Sequence, residues 1–516
     1  MFILQSQKNM RSKNAIKNLL FLLIQEIVAF ALGIIFPRYI IVLYGSEING
    51  LTATITRVLA LVNLIQAGAV GAAIYQMYKP VADKDYDTQS AIIYSSRKFY
   101  NIISVVYLSL SLAAGVFYGF YLKNDGLSFL AIFLSFFILA LNGANILLFN
   151  SICDIFISPH QKKYLISFAS ICEQIVRYGL MTVVLVLKLP FIFIYLCYLA
   201  GGFVSVVLNL LFYKILSKNI ISKNPSNKSY VIPGKKYLML ASIGSEMVTA
   251  SPTIIITTII DLVHTSIFSV YAMIFTSMKT ILNSIQLSFS AIFGNLTKTA
   301  DNKKIYEVHS SIELLTIALG AIASSCVGFL IIPFIRLYTA GADANYEYTI
   351  LAIFVVAYTV FFTFRTSYGY VATVYGLFKD TCKIILIFGI IGITISIVCT
   401  ILFGMPYVMV GLLFNQLGCA ITTLLVIKKK VSWFKLSKLF VRAGIMSFLA
   451  FSFTLLFFVF EPKIDGWVIW ILYGLIIAIS VGFLFTIYCI IFERKCVKIL
   501  LTYVGNLFKR KRNRIS

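Results

Sequence analysis

Residues 19–36 read LLFLLIQEIVAFALGIIF, and sixteen of the eighteen carry no polar side chain. About 20 mainly apolar residues are what an α-helix needs to cross the hydrocarbon core of a bilayer. Such runs recur near 15–43, 49–77, 99–122, 127–157, 165–187, 191–214, 238–261, 266–296, 308–335, 348–375, 384–403, 407–427, 443–460 and 467–492. Each break between them carries charge, Gly or Pro. The chain is 60% hydrophobic and 12% charged, with a mean hydropathy of +0.93, whereas soluble domains carry about 25% charged residues. These features exclude a soluble fold. They define an all-α integral membrane protein of about fourteen transmembrane helices, its first run a retained helix rather than a cleaved signal.

Charge sets the orientation. Lys and Arg outnumber Asp and Glu by 44 to 19. Thirty-five of the 44 lie at the two termini or in loops after even-numbered spans, and five lie in the other loops. Positive charge stays inside, so both termini are expected in the cytoplasm, and the tail KRKRNRIS reads as a plain topology signal or as a basic patch near anionic lipid. No basic stretch interleaves with aromatics in a polar region, so nucleic acid is not an expected partner. The nine cysteines form no CxxC pair and no cluster with histidine, so neither disulfides nor a metal site are expected. No GxxxxGK[ST] loop and no catalytic constellation is present, so the chain is not read as an enzyme and no cofactor is expected.

An internal repeat organises the spans. IQEIVAFALGII (24–35) aligns with GSEMVTASPTII (244–255) at an offset of 220, pairing Glu26 with Glu246. The same offset pairs Asn63 with Asn283 and Gln66 with Gln286, and Pro190 and Gly202 meet Pro406 and Gly418 at an offset of 216. Six spans separate the equivalents, so the halves have the same orientation, as in parallel repeats. The expected organisation is a six-helix half at 1–216, a second at 217–430, and an extra helix pair with a basic tail at 431–516.

Charged side chains inside a membrane face an interior or water. The deep ones are Glu26, Arg57, Glu173, Arg177, Glu246, Lys279 and Arg365; Glu313 lies within snorkelling reach of the cytoplasmic surface. Lys279, Asn283, Gln286 and Ser290 share one helical face, as do Thr52, Thr56, Asn63 and Gln66. These stripes read as facing walls of a central cavity or as interhelical hydrogen-bond contacts. Glu173 and Arg177 have ion-pair spacing, and Arg365 shares a face with Tyr368 and Tyr375, suited to sugar stacking or to packing. Pro252 is expected to break span 7 near Glu246. His160, His264 and His309 fall at span ends or in loops and read as interfacial residues.

The N-terminal RSKNAIKNLL, the span end FPRYIIVLYGSEINGL with Gly45, Glu47 and Gly50, the stretch AGAVGAAIY, the six-plus-six repeat and the fourteen spans together resemble a family. It is the Wzx-like polysaccharide flippases of the multidrug/oligosaccharidyl-lipid/polysaccharide exporter superfamily. The resemblance implies alternating-access transfer of an undecaprenyl-diphosphate-linked oligosaccharide across the bacterial cytoplasmic membrane, for capsule, exopolysaccharide or O-antigen. Arg57, Arg177, Lys279 and Arg365 would then meet the diphosphate, and Asn63, Gln66, Asn283 and Gln286 the sugar hydroxyls. Glu26 and Glu246 would bind a coupling proton or sodium ion, or neutralise cavity cations. The lipid tail would lie near the last two spans, and membrane lipids, a polysaccharide polymerase and glycosyltransferases are the implied partners. A cation-coupled multidrug antiporter and a lipid II flippase of the same superfamily are the alternatives.

Overall fold

In hydrocarbon every backbone N–H and C=O must be paired within the chain, which leaves helices as the structure for apolar runs of this length. The computed structural model describes residues 2–122, 127–218, 220, 236–297, 300–434, 436, 438–460 and 462–498. Every described regular element is helical. In order they are α1 (Phe2–Tyr44), α2 (Ser46–Val62), α3 (Ala69–Asp83), α4 (Tyr86–Tyr121), α5 (Phe129–Asn145), α6 (Ser151–Ile157), α7 (Tyr164–Val186) and α8 (Ile192–Ser217). There follow α9 (Lys236–Ile259), α10 (Leu262–Leu296), α11 (Asn302–Tyr338), α12 (Thr349–Val374), α13 (Phe378–Phe403), α14 (Val408–Lys430), α15 (Leu439–Phe460) and α16 (Trp467–Phe492). Among the described residues thirteen helices are long and apolar enough to span a membrane. The remaining expected span, 238–261, corresponds to α9, whose apolar part Ile243–Ile259 is shorter. The chain is a multi-pass membrane protein. The basic tail beyond residue 498 and linker residues 221–235 lie outside the described residues.

Two compact units form, Met1–Thr257 with Asp261–Ser266, and Thr258–Ile260 with Ile267–Ser516. Compactness thus divides the chain one helix later than the repeat does. The reason is a polar joint between α2 and the turn that follows α9. Thr54 Oγ1 lies 2.7 Å from Thr257 Oγ1, Thr257 lies 2.8 Å from Thr265, and Asn49 donates to Ser266 Oγ at 2.8 Å. Gly50 permits the approach: a Cβ there would sit 1.9 Å from the Leu262 carbonyl oxygen.

Within the first unit α7 packs on α1 and α8, and α5 on α4 and α8. One turn of wider, π-type pitch at Ile146–Asn150 joins α5 to α6, and turns of this kind mark places where a helix is re-aimed. There Asn150 donates to Ser205 and accepts from Asn209, each at 3.1 Å.

In the second unit α11 packs against α12, α15 and α16. The joint is Arg442 at the start of α15, which is fully buried. Its Nη1 donates to Glu313 Oε1 at 2.7 Å and to the Ser310 carbonyl at 2.9 Å. Its Nη2 lies 3.0 Å from Glu493 Oε1 and donates to Ser310 Oγ at 2.9 Å. Glu313 therefore does not reach water; it is enclosed on α11. Removing one partner of a buried ion set leaves the others uncompensated and costs about 3–5 kcal/mol. Arg442→Ala is expected to lower the thermal melting point of the detergent-solubilised protein by the equivalent of that loss, with α15 and α16 the first segments to gain protease sensitivity.

Candidate functional site

The expected face Thr52, Thr56, Asn63 and Gln66 does not lie on one helix. α2 stops at Val62, a single 3₁₀ turn spans Asn63–Gln66, and α3 begins at Ala69. Ala67 leaves the helical conformation, at φ −49° and ψ 123°, and Gly68 has φ +79°, a left-handed conformation that glycine adopts without a Cβ clash. In a 3₁₀ turn residues three apart eclipse, and Gln66 Nε2 donates to Asn63 Oδ1 at 2.9 Å. Thr52 and Thr56, by contrast, turn their hydroxyls back to carbonyls of their own helix. Span 2 is therefore a broken helix, and broken helices expose backbone carbonyls where small polar ligands bind.

Span 7 is the reverse case. Pro252 lies inside an unbroken α9. A proline leaves the carbonyl four residues earlier without its N–H partner, here that of Val248. Ser251 Oγ donates to that carbonyl at 3.1 Å, so the helix continues. The expected break at Pro252 is thus replaced by the break at 63–68.

The break opens a cavity of about 350 Å³, lined by Ala60, Asn63, Leu64, Gln66, Ala67, Gly68, Val70 and Glu246. It unites Asn63 and Gln66 with Glu246, which α9 delivers from the other side. Arg57, two helical turns before the break, is part-buried and has Glu246 as its electrostatic partner. The lining can offer one carboxylate and two side-chain amides to a single ligand.

The other predicted residues stand elsewhere. Glu26 is exposed on α1 and does not line this cavity. Arg177 pairs with Glu173 at 3.4 Å, and its guanidinium lies 4.6 Å and 4.9 Å from the ring centres of Tyr178 and Tyr198. Lys279, Asn283, Gln286 and Arg365 belong to the second unit, where the first three are part-buried along α10. Arg365 Nη1 donates to Gln416 Oε1 at 3.2 Å, and Gln416 in turn donates to Tyr358. Tyr368 is fully buried with its hydroxyl on the Ala420 carbonyl, and the Tyr375 hydroxyl accepts from the Trp433 indole at 2.6 Å. The enclosed Tyr368 serves packing and presents no face to a sugar, whereas Tyr375 is exposed beside its Trp433 contact.

Sequence reasoning passed over Arg442 and Glu493, and read His309 as interfacial. Arg442 and Glu493 flank apolar runs and read as loop charges. His309 is 1% exposed, inside α11 rather than at an interface. The signal present was its spacing of four from Glu313.

By sequence, the chain matches no protein-family profile and no curated protein. By structure it is similar to the lipid II flippase MurJ in an inward closed conformation, with a TM-score of 0.64 at 15% identity, over 91% of this chain and 99% of that one. It is also similar to a multidrug resistance MATE family transporter of the MOP superfamily, inward-facing, with a TM-score of 0.61 at 12% identity, over 79% and 94%. An outward-facing structure of a MATE family transporter gives 0.54 at 13% identity, over 82% and 96%. The chain has the fold these flippases and transporters share.

If Arg57 and Glu246 act on each other across the cavity, removing both charges does less harm than the two single losses summed. Arg57→Gln and Glu246→Gln are each expected to lower the melting temperature, and the double variant to lose less than their sum. Strict additivity in a double-mutant cycle would show that the two charges are independent.

Proposed function

We propose that the protein is a flippase that carries an undecaprenyl-diphosphate-linked oligosaccharide across the bacterial cytoplasmic membrane by alternating access, feeding capsule, exopolysaccharide or O-antigen assembly. The observation that carries this reading is the cavity at the broken span 2. A diphosphate leaving water needs cationic hydrogen-bond partners, and Arg57 stands beside a cavity edged by two amides. Lys279 and Arg365 supply further cations in the second unit, and Asn283 and Gln286 repeat the amides there. The loop charge asymmetry supports cytoplasmic termini. Support also comes from the fold shared with a structure described as a lipid II flippase, which matches a larger share of this chain than the multidrug transporter does.

Glu246 in the cavity favours a second reading, a cation-coupled multidrug antiporter. The intramembrane cations Arg57, Lys279 and Arg365 weigh against it, because they repel cationic drugs. Resistance conferred on a pump-deficient host separates the two. Carriage of lipid II itself would make the gene essential for growth.

Arg57→Ala and Lys279→Ala are each expected to abolish glycan export while membrane protein levels stay unchanged, with lipid-linked oligosaccharide accumulating on the inner leaflet. Full export by both variants removes the cationic cavity from the mechanism.

A further inference from the structure

The second unit holds a buried charge cluster that the cavity at span 2 does not use. Arg442 spends its donors on Glu313, Glu493 and Ser310. The second oxygen of Glu493 accepts from Lys438 Nζ at 2.8 Å, and Lys438 is 47% exposed at the edge of the cluster. The second oxygen of Glu313 is met differently. It lies 3.4 Å from His309 Nε2, and that nitrogen makes no hydrogen bond among the described residues. On the other side of the ring, Nδ1 lies 2.6 Å from the Tyr370 hydroxyl. Phe293, Trp433 and Phe434 close around the imidazole, with the Trp433 ring 5.2 Å away.

The groups around this ring can be named element by element. α11 itself contributes Glu313 and Ser310; α12 contributes Tyr370; α10 contributes the apolar Phe293. Trp433, Phe434 and Lys438 come from before α15, α15 contributes Arg442, and the segment after α16 contributes Glu493 and Cys496. With a neutral imidazole, the enclosed set of Glu313, Glu493 and Arg442 carries one net negative charge. Lys438 relieves Glu493 from the rim and does not reach Glu313 Oε2. A proton on Nε2 would balance the enclosed set and give each Glu313 oxygen its own cationic donor, which is how buried carboxylates are stabilised. Histidine is the side chain whose ordinary titration covers pH 5 to 8.

We propose that His309 is a proton-binding site whose occupancy sets the hold of α15 on α11. Nε2 takes the proton and turns the N–H onto Glu313 Oε2, while Nδ1–H is held by Tyr370. Proton occupancy then decides how tightly α15, Trp433 and Phe434 are held on α11. The proton site does not depend on the transport reading above.

Trp433 is the reporter, because a protonated imidazole quenches an adjacent indole. The chain has three tryptophans, so the full-length Trp467→Phe/Trp470→Phe protein in detergent leaves Trp433 as its sole emitter. Acidification from about pH 8 to 5 is expected to reduce its emission in one step, and His309→Gln to abolish that step. A step that survives His309→Gln, or no step with His309 present, overturns the proton site. Tyr370→Phe keeps the packing and is expected to move the midpoint; an unmoved midpoint also counts against the site. The fluorescence outcomes stand whatever the cargo proves to be, so failure of the site and failure of the flippase reading are distinguishable.

Discussion

Hydrocarbon offers a polar group nothing to bond to, and each part of this structure answers that constraint. Arg442 is the most demanding case, a guanidinium with no exposed surface. It is tolerated because two carboxylates and a serine take its donors, drawn from α11 and from the segment after α16. The extra helix pair is therefore fastened to the second unit by charge as well as by apolar contact. The aromatic contacts of Phe334 with Trp467 and Trp470, near the far end of α11, give the pair a second hold.

The same accounting explains where helices break. Pro252 should interrupt α9, yet Ser251 supplies the donor that the Val248 carbonyl lost. Nothing comparable rescues the stretch NLIQAG at 63–68, where Gly68 takes a left-handed conformation and the Asn63 and Gln66 side chains bond to each other. A hydroxyl one residue before a proline mends a helix; a glycine with two amides nearby ends one. The cavity follows from this difference. The antiparallel neighbour α9 then brings Glu246 to the gap, held in register by the threonine joint eleven residues further on.

Much of the architecture was legible in the chain. The expected spans 165–187, 191–214 and 467–492 fall within a few residues of α7, α8 and α16, since hydropathy alone marks where hydrocarbon begins. The repeat also placed Pro190 and Pro406 alike, each just before the sixth helix of its half. The site was legible in part. Asn63, Gln66 and Glu246 were singled out and do line one cavity, but a continuous face was assumed, because a period of 3.6 cannot register a 3₁₀ turn. The Arg442 cluster was invisible for another reason. Its members lie 129 and 51 residues apart, and each taken alone resembles a charge at a membrane boundary.

The intramembrane arginines can be ranked by what their donors are already doing. Arg442 has its donors committed and serves the fold. Arg177 is held by Glu173 and by two tyrosine rings, and exchanging those partners for a ligand would forfeit both. Arg365 is bonded to an amide, a neutral partner that a charged ligand can outcompete. Arg57 makes no ion pair within 4.0 Å among the described residues, and its electrostatic partner Glu246 belongs to the cavity wall rather than to a closed pair. A cation balanced across an opening, not in contact, can receive an anion without first breaking a salt bridge. Under the proposed function, Arg57 is then the residue of the first unit that would meet a phosphate group, and Glu246 the group that would turn away, or take up a cation, when it does.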